Sequence, residues 1–295
     1  MVGSGADSFN KARMIKRSVF ILFIAGAPAL MAQVDLSGYW HSPMQEDGLE
    51  RGGGPMSGEY VGIPLNDAAR MRADSWSASL LTVPERQCIP HPADYGPSFS
   101  NLQMWKDVDP ATKDEIAWHT HMSWMAAERT IWMDGRAHPP AYAAHTWQGF
   151  STGKWEKNIL TVTTTHLKAG WIRRNGIPRS DRATMTEHFI RSGDVLTWVT
   201  IVYDPEYLAE PMIRSRDFTL NLYGQMGAYP CESVEEIDRP EGVVPHYLPG
   251  KNPFLTEFAT KYGLPQEAAR GGAETMYPEY QTKLKAMMAG STAKK

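Results

Sequence analysis

EIAWHTHMSW (115–124), VLTWVTIVY (195–203) and PMIRSRDFTL (211–220) belong to a series of segments in which polar and apolar residues alternate. The same series holds ERTIWM (128–133), ILTVTTTHL (159–167), ATMTEHFIR (183–191) and YPCESVEEI (229–237). A period of two and an enrichment in Val, Ile, Thr, Trp and Tyr are typical of β-strands. Short connectors with Gly, Asn, Asp or Pro separate the segments, so residues 115–237 predict a meander of antiparallel strands.

The meander also predicts the fold class. Consecutive antiparallel strands favour an all-β fold, here an up-and-down barrel of about eight strands. Residues 33–114 are expected to supply a first strand and then a Gly- and Pro-rich cover with a short helix that Asn66 caps. Residues 82–104 within this cover are predicted to be an ordered, Pro-rich loop.

Beyond the meander the alternation stops, and residues 238–290 predict a strap with short helices. Asn252 and Pro253 are the expected N-cap and first position of a helix that Gly263 closes. The strap has too few apolar residues for a core of its own, so we expect it to lie on the barrel within the same domain. The small and basic residues 291–295 are expected to form a disordered tail.

The first 32 residues predict a signal peptide. The run 18–30 is mostly apolar and too short to span a bilayer, and small residues lead up to a cleavage site after Ala32. Met14 is an alternative start of the chain. The basic residues that precede the apolar run are Lys11, Arg13, Lys16 and Arg17. We therefore expect a periplasmic or secreted protein without stable membrane insertion after signal cleavage.

Charge and cysteine content narrow the choice of partners. The net charge is −3 with both signs scattered, so no basic stripe favours nucleic acid. Cys88 and Cys231 are the two cysteines of the chain. Two cysteines in an exported protein are typically paired, which predicts a disulfide between them.

The N-terminal strand carries a motif found in one known barrel family. Gly38-x-Trp40, followed by a hairpin meander, resembles the opening of the lipocalin-like (calycin) barrel. The resemblance implies that Trp40 closes the base of the barrel. It also implies that a Lys or Arg from a late strand packs on this indole, with Arg214 and Arg216 as candidates.

A second resemblance covers roughly residues 35–285. It is carried by the phrases ERTIWMDGRAHPP, HTWQGFSTGKWE, TTTHLKAGWIRRNGIPRSDRATMTEHF and VPHYLPGKNPFL. These resemble a large set of exported bacterial β-rich proteins that carry no assigned activity. The resemblance implies a secreted β-rich domain and transfers no catalytic residue.

Histidines on one strand suggest a metal or acid/base site. His119 and His121 share a face about 7 Å apart along the strand. We expect this face to point into the barrel, where His166 or His188 would join the pair. A site of His119, His121 and His166 would suit a divalent transition metal. If the opposite face points inward, the pocket is aromatic and lacks acid/base groups; that face carries Ile116, Trp118, Met122 and Trp124.

Glu187 and His188 are further candidates for general acid/base chemistry. Neighbouring residues on a strand point to opposite faces, so only one of the two can enter a given cavity. The candidate catalytic residues are therefore His119, His121, Glu187 and His188.

The connection GWIRRNGIPRSDR (170–182) concentrates arginines, whose guanidinium groups bind carboxylate or phosphate. The loop HPPAYAAHTW (138–147) supplies histidines and an indole nearby in the sequence. Small-molecule sites commonly combine apolar walls with a few polar groups. The expected ligand-binding residues are His145, Trp147, His166, Arg173 and Arg174.

These patterns favour an exported barrel that binds a small, partly apolar organic molecule, with arginines and histidines at the mouth. One alternative is a periplasmic isomerase, lyase or hydrolase, cofactor-free or metal-assisted, that uses the histidines. A second alternative is a structural or assembly protein of the envelope. The ligand, the occupancy of a metal and the oligomeric state are left open.

Overall fold

A computed structural model shows nine strands that close into a barrel, which confirms the predicted all-β barrel. Around the barrel they neighbour one another in the order β1-β11-β10-β9-β6-β5-β4-β3-β2. Two more strands, β7 (Gly170–Arg173) and β8 (Ile177–Arg179), pair as a separate hairpin. The barrel strands are β1 (Gly38–His41), β2 (Leu102–Val108), β3 (Glu115–Met122), β4 (Ala127–Trp132), β5 (Phe150–Glu156), β6 (Ile159–Thr165), β9 (Thr184–Ser192), β10 (Val195–Tyr203) and β11 (Met212–Leu220).

The structure describes residues 34–43, 54–95, 100–125, 127–232, 240 and 243–292. All of these belong to one compact unit, Gln33–Lys295. The predicted signal peptide, residues 1–32, lies outside the described residues.

One joint of the barrel departs from the antiparallel pattern. β4 and β5 run parallel and pair at only two positions, Ile131 with Ser151 and Trp132 with Thr152. The physical reason is the connection 133–149, which is long enough to return the chain to the end at which β4 began. The barrel is therefore mixed, although every other neighbouring pair is antiparallel.

Two strand predictions at the ends of the meander were wrong. β2 begins inside the segment 82–104, which the prolines had suggested to be a loop throughout. Its residues Leu102 and Met104 are buried and alternate with more exposed neighbours. Conversely, residues 229–232 of the expected last strand are not in a strand, and residues 233–237 lie outside the described residues. Pro230 lacks the backbone N–H that a ladder requires there.

The core consists of two apolar clusters at different levels of the molecule. The first fills the barrel interior with large side chains that include Trp40, Trp118 and Phe189. The second lies at the end where Met185 and Val202 point inward, together with apolar residues of the cover and of the β7–β8 hairpin. We call this end the covered end of the barrel.

Trp40 is fully buried in the first cluster and donates from Nε1 to the carbonyl of Leu36. The cation on its ring is Arg191 of β9, whose Cζ lies 5.2 Å from the ring centroid. The lipocalin-like resemblance had suggested Arg214 or Arg216 for this place. Those two side chains instead donate to Ile172 O and to Ser42 Oγ.

Short helices form the cover and the strap. In the cover, α1 (Asp67–Asp74) starts at Asn66, whose side chain accepts from Ala69 N as predicted, and α2 (Pro84–Gln87) follows a 3-10 turn at Ala78–Thr82. The strap contains α3 (Glu257–Tyr262), α4 (Gln266–Ala269) and α5 (Tyr280–Thr292), with 3-10 turns at Pro253–Thr256 and Ala273–Met276. α5 thus continues into the predicted tail. Within the described residues, no helix has the length and apolarity needed to cross a membrane.

The strap packs on the cover. Tyr247 N donates to Ser75 O, and the Asn252 side chain donates to Asp74 O and Trp76 O while it caps the following turn at Phe254. Gly263 closes α3 in the left-handed conformation with φ 63°, as predicted. The strap therefore braces the cover, and its residues 244–246 line one of the cavities at the covered end.

Candidate functional site

The histidine face of β3 points outward, so the expectation of inward histidines is wrong. Trp118 and Met122 belong to the barrel core, while His119 and His121 lie on the other face. His119 stacks on Trp105 with ring centroids 5.1 Å apart and bonds Asp107 Oδ2 at 2.8 Å. His121 Nδ1 bonds Glu128 Oε1 at 2.8 Å. Burial of the large Trp118 indole stabilises the fold more than burial of two imidazoles that need polar partners. This difference in free energy decides which face of β3 points inward.

The proposed metal ligands do not come together. His166 follows β6, which is three strands away from β3 around the barrel, or about 14 Å at the usual strand spacing. His188 lies one strand further, on β9, and bonds Thr161 Oγ1 at 3.1 Å. Within the described residues, no three His, Cys, Asp or Glu side chains are grouped so that they could hold a metal ion. A metal site of His119, His121 and His166 therefore does not form.

Glu187 does point into the barrel, but as half of a buried ion pair. Arg129 Nη1 and Nη2 donate to its two carboxylate oxygens at 2.7 and 3.0 Å, and both side chains are almost wholly buried. Trp198 Nε1 donates to the same carboxylate at 2.9 Å. Because three donors already hold Glu187 among packed core residues, its role is structural and the expectation of a catalytic carboxylate does not fit.

A small cavity that we call the aromatic pocket brings together three of the expected ligand-binding residues: Trp147, Arg173 and Arg174. Its volume is about 170 Å³. The other principal walls are Tyr95, Trp124, Trp171, His91 and Arg86. Three indoles and a phenol around one cavity provide an apolar site with cationic groups at its edge, which is the usual composition of a small-molecule site.

The walls of the aromatic pocket are held in place by contacts from three parts of the chain. Cys88 and Cys231 form the predicted disulfide, with Cα atoms 5.5 Å apart. Cys88 lies in the chain between Gln87 and Ile89, which both line the pocket. Arg173 donates to Glu59 Oε1 at 3.1 Å with both groups buried, so its charge is neutralised. The β7–β8 turn depends on Gly176, at φ 91°, where a Cβ would come within 2.4 Å of Trp76.

His91 supplies a neutral polar group to the aromatic pocket. Burial lowers the pKa of His91 to about 4, and the positive charge of Arg174 is the second, smaller cause. The ring is therefore uncharged near neutral pH, and its edge contacts Tyr95 with ring centroids 5.0 Å apart. An uncharged imidazole keeps the pocket compatible with an apolar ligand.

A larger cavity, which we call the polar cavity, adjoins the aromatic pocket. It measures about 550 Å³ and lies between α1, the β7–β8 hairpin and residues 244–246 of the strap. Charged residues of both signs line it, among them Arg72, Asp181 and Glu206. The two cavities share Arg86 and Trp171, so these side chains form the partition between them.

The remaining expected ligand residues, His145 and His166, meet at a third cavity of about 480 Å³, the histidine pocket. Their ring centroids are 5.1 Å apart. His138, which the sequence placed on the same loop without a role, completes the group. Its Nδ1 shares the Thr165 hydroxyl with His166 Nδ1, both at 2.7 Å.

Hydrogen bonds assign a tautomer to each of these rings. His166 Nε2 bonds the carbonyl of Pro140 at 3.0 Å and must donate, so the neutral ring accepts at Nδ1 from the Thr165 hydroxyl. Thr165 Oγ1 then accepts from His138 Nδ1, and His138 Nε2 accepts from Thr152. Burial, followed by repulsion from the neighbouring His166 ring, lowers the pKa of His138, which favours the neutral form of His138. His145 donates from Nδ1 to Leu167 O, which leaves its Nε2 lone pair as an acceptor.

The geometry therefore separates the expected residues into a ligand group at the covered end and a set of outward or structural side chains on the barrel wall. Arg86 was missed, because PERQ (84–87) carries no signal that it meets an indole far along the chain. Comparison of the chain with family models, with curated proteins and with solved structures finds no match.

Proposed function

We propose that this protein binds a small, partly apolar organic molecule in the aromatic pocket. The observation that carries the proposal is the group of three indoles and Tyr95 around a cavity of about 170 Å³ with arginines at its edge. An apolar cavity of about 150 Å³ holds a benzene molecule, so the expected ligand carries one ring. The ligand lies at the covered end because the barrel interior is occupied by Trp40, Trp118, Phe189 and their neighbours.

Export of the protein fits this function and remains part of the proposal. A disulfide persists in oxidising compartments such as the periplasm, and Cys88–Cys231 holds one wall of the pocket. Arg191 on Trp40 supports the lipocalin-like resemblance, since that family places a cation on this indole. The resemblance to exported bacterial β-rich proteins and the alternative of an envelope assembly role stay predictions.

Removal of one pocket indole should weaken the binding of a neutral single-ring probe. Trp147→Ala is expected to raise the dissociation constant of benzyl alcohol about tenfold, because an aromatic contact and its buried area are lost. Calorimetric titration measures the change. Trp105→Ala is the matched control, since Trp105 stacks on His119 on the outer face of the barrel. Equal affinity in both variants would contradict the proposal.

A second candidate function is general base catalysis at His145. The observation that favours it is the bond from Nδ1 to Leu167 O, which keeps the proton on that nitrogen and the lone pair on Nε2. Arg182 also lines the histidine pocket and could hold the anionic part of a substrate. An enzyme with His145 as its base would use neither His119 nor His121 of β3.

Two measurements test the second candidate. Nitrogen NMR at pH 8 should show His145 protonated at Nδ1 and His166 at Nε2. Hydrolysis of 4-nitrophenyl acetate, a probe of accessible basic imidazoles, should fall severalfold in His145→Gln and stay unchanged in His246→Gln, a histidine of the strap. A proton on His145 Nε2, or equal rates in the two variants, would exclude this role.

A further inference from the structure

We propose that Arg86 is the anchor for a carboxylate on the ligand, at the partition between the aromatic pocket and the polar cavity. The inference rests on the proposed function and narrows its ligand to a single-ring carboxylate. The ring occupies the aromatic pocket, the carboxylate meets the Arg86 guanidinium, and further polar substituents extend into the polar cavity.

Arg86 lies at the boundary between the two cavities. Arg86 lies on α2, and its Cζ is 5.1 Å from the centroid of the Trp171 ring. It is half-buried and lines both cavities. A group bound in either cavity is therefore within reach of the same guanidinium.

Among the residues that the structure describes, no acidic group already pairs with this charge. Across the described ranges, the Arg86 guanidinium takes part in no hydrogen bond or ion pair, and its contact is the Trp171 ring. The backbone N–H of Arg86 donates to Val83 O. A guanidinium has five N–H donors, and half-burial deprives it of part of its water. An anion that binds here would satisfy donors that the protein leaves unused.

Other arginines that stack on aromatic rings provide the contrast. Arg129 and Arg136 are ion-paired to Glu187 and Asp134, and Arg270 is ion-paired to Asp74. Arg191 donates to the carbonyls of Asp35 and Gly193. Each of these four has a protein acceptor in addition to its ring. Arg86 differs from all of them in this respect, and it is also the one that lies between two cavities.

The planar fork of the guanidinium selects the class of anion. Its N–H groups lie in one plane, where they match the two oxygens of a carboxylate. The contact with the Trp171 ring uses no acceptor atom, so the N–H donors of Arg86 are left for a bidentate contact. The adjacent indoles of the aromatic pocket would hold an apolar ring of the ligand next to its carboxylate. A ring and a carboxylate in one molecule make the expected ligand an aromatic or alicyclic acid.

The test compares two probes of the same ring size, benzoate and benzyl alcohol, by calorimetric titration at pH 7.5. Wild-type protein should bind benzoate at least about tenfold more tightly, the usual effect of a hydrogen-bonded charge pair. Arg86→Gln should abolish this preference, because it should weaken benzoate binding far more than benzyl alcohol binding. Arg86→Lys should retain only part of the preference, because a lysine keeps the charge but loses the planar fork.

Arg136→Gln is the matched control, because Arg136 also stacks on an indole, that of Trp132, but already has Asp134 as its partner. This variant should bind both probes like wild type. A thermal melt of each variant confirms that it is folded. Retention of the benzoate preference in Arg86→Gln would overturn the anchor while the proposed binding function stands. Failure of wild type to bind either probe would overturn the proposed function and the anchor with it.

Discussion

Arg129→Met should lower the free energy of unfolding by about 3–5 kcal/mol, because it leaves a buried carboxylate without its counter-charge. Glu187 has no exposed side-chain surface, and in the variant Trp198 Nε1 would be the one donor left to it among the described side chains. Unfolding in urea, followed by tryptophan fluorescence, measures the loss.

The double variant Arg129→Met, Glu187→Gln separates the unpaired charge from the loss of packing. Glutamine removes the charge and keeps an acceptor for Trp198, so most of the stability should return. If the single variant loses less than about 1 kcal/mol, the side chains are not a desolvated ion pair and the structural role assigned to Glu187 is wrong.

Replacement of both cysteines should have an effect of similar size. Cys88→Ser, Cys231→Ser is expected to lower the free energy of unfolding by about 4–5 kcal/mol, since the bond closes a long loop in the unfolded chain. The sequence separation of the two cysteines is 143 residues. Chemical denaturation of oxidised wild type and of the double variant gives the difference.

The disulfide also makes a prediction about the pocket. Gln87 and Ile89 flank Cys88 and line the aromatic pocket, so the double variant should bind benzyl alcohol more weakly than wild type. A reducing agent should reproduce both effects in wild type and change nothing in the variant. Wild type that is equally stable with and without reductant would show that the bond contributes nothing to the folded state.

Local signals predicted several parts of the fold correctly. Six of the seven alternating segments become strands, because side chains of a strand point to opposite faces whatever the surroundings. Asn66 and Asn252 cap the starts of their helical segments and Gly263 closes α3 as expected, because caps satisfy backbone groups within a few residues of themselves. The prolines of segment 82–104 misled the prediction of β2, whose pairing partners on β1 and β3 lie outside that local window.

The structure brings the expected ligand residues together around two cavities, whereas it does not bring the expected catalytic residues together. Trp147, Arg173 and Arg174 meet in the aromatic pocket, and His145 meets His166 in the histidine pocket. They come from connections near one another at the covered end, where the composition of a loop indicates which residues line a cavity. The catalytic candidates lay on strands instead, where function depends on which face is buried.

By itself the sequence determined most of the meander strands, the helix caps and the pairing of Cys88 with Cys231, because each depends on local backbone preference or on the absence of another thiol. Tertiary structure decided which face of β3 points inward, since a period of two defines alternation but not its sign. It also decided that Arg191 covers Trp40 and that Arg86 meets Trp171. Such meetings depend on the path of the whole chain around the barrel, and no local pattern near Arg86 or Arg191 specifies that path.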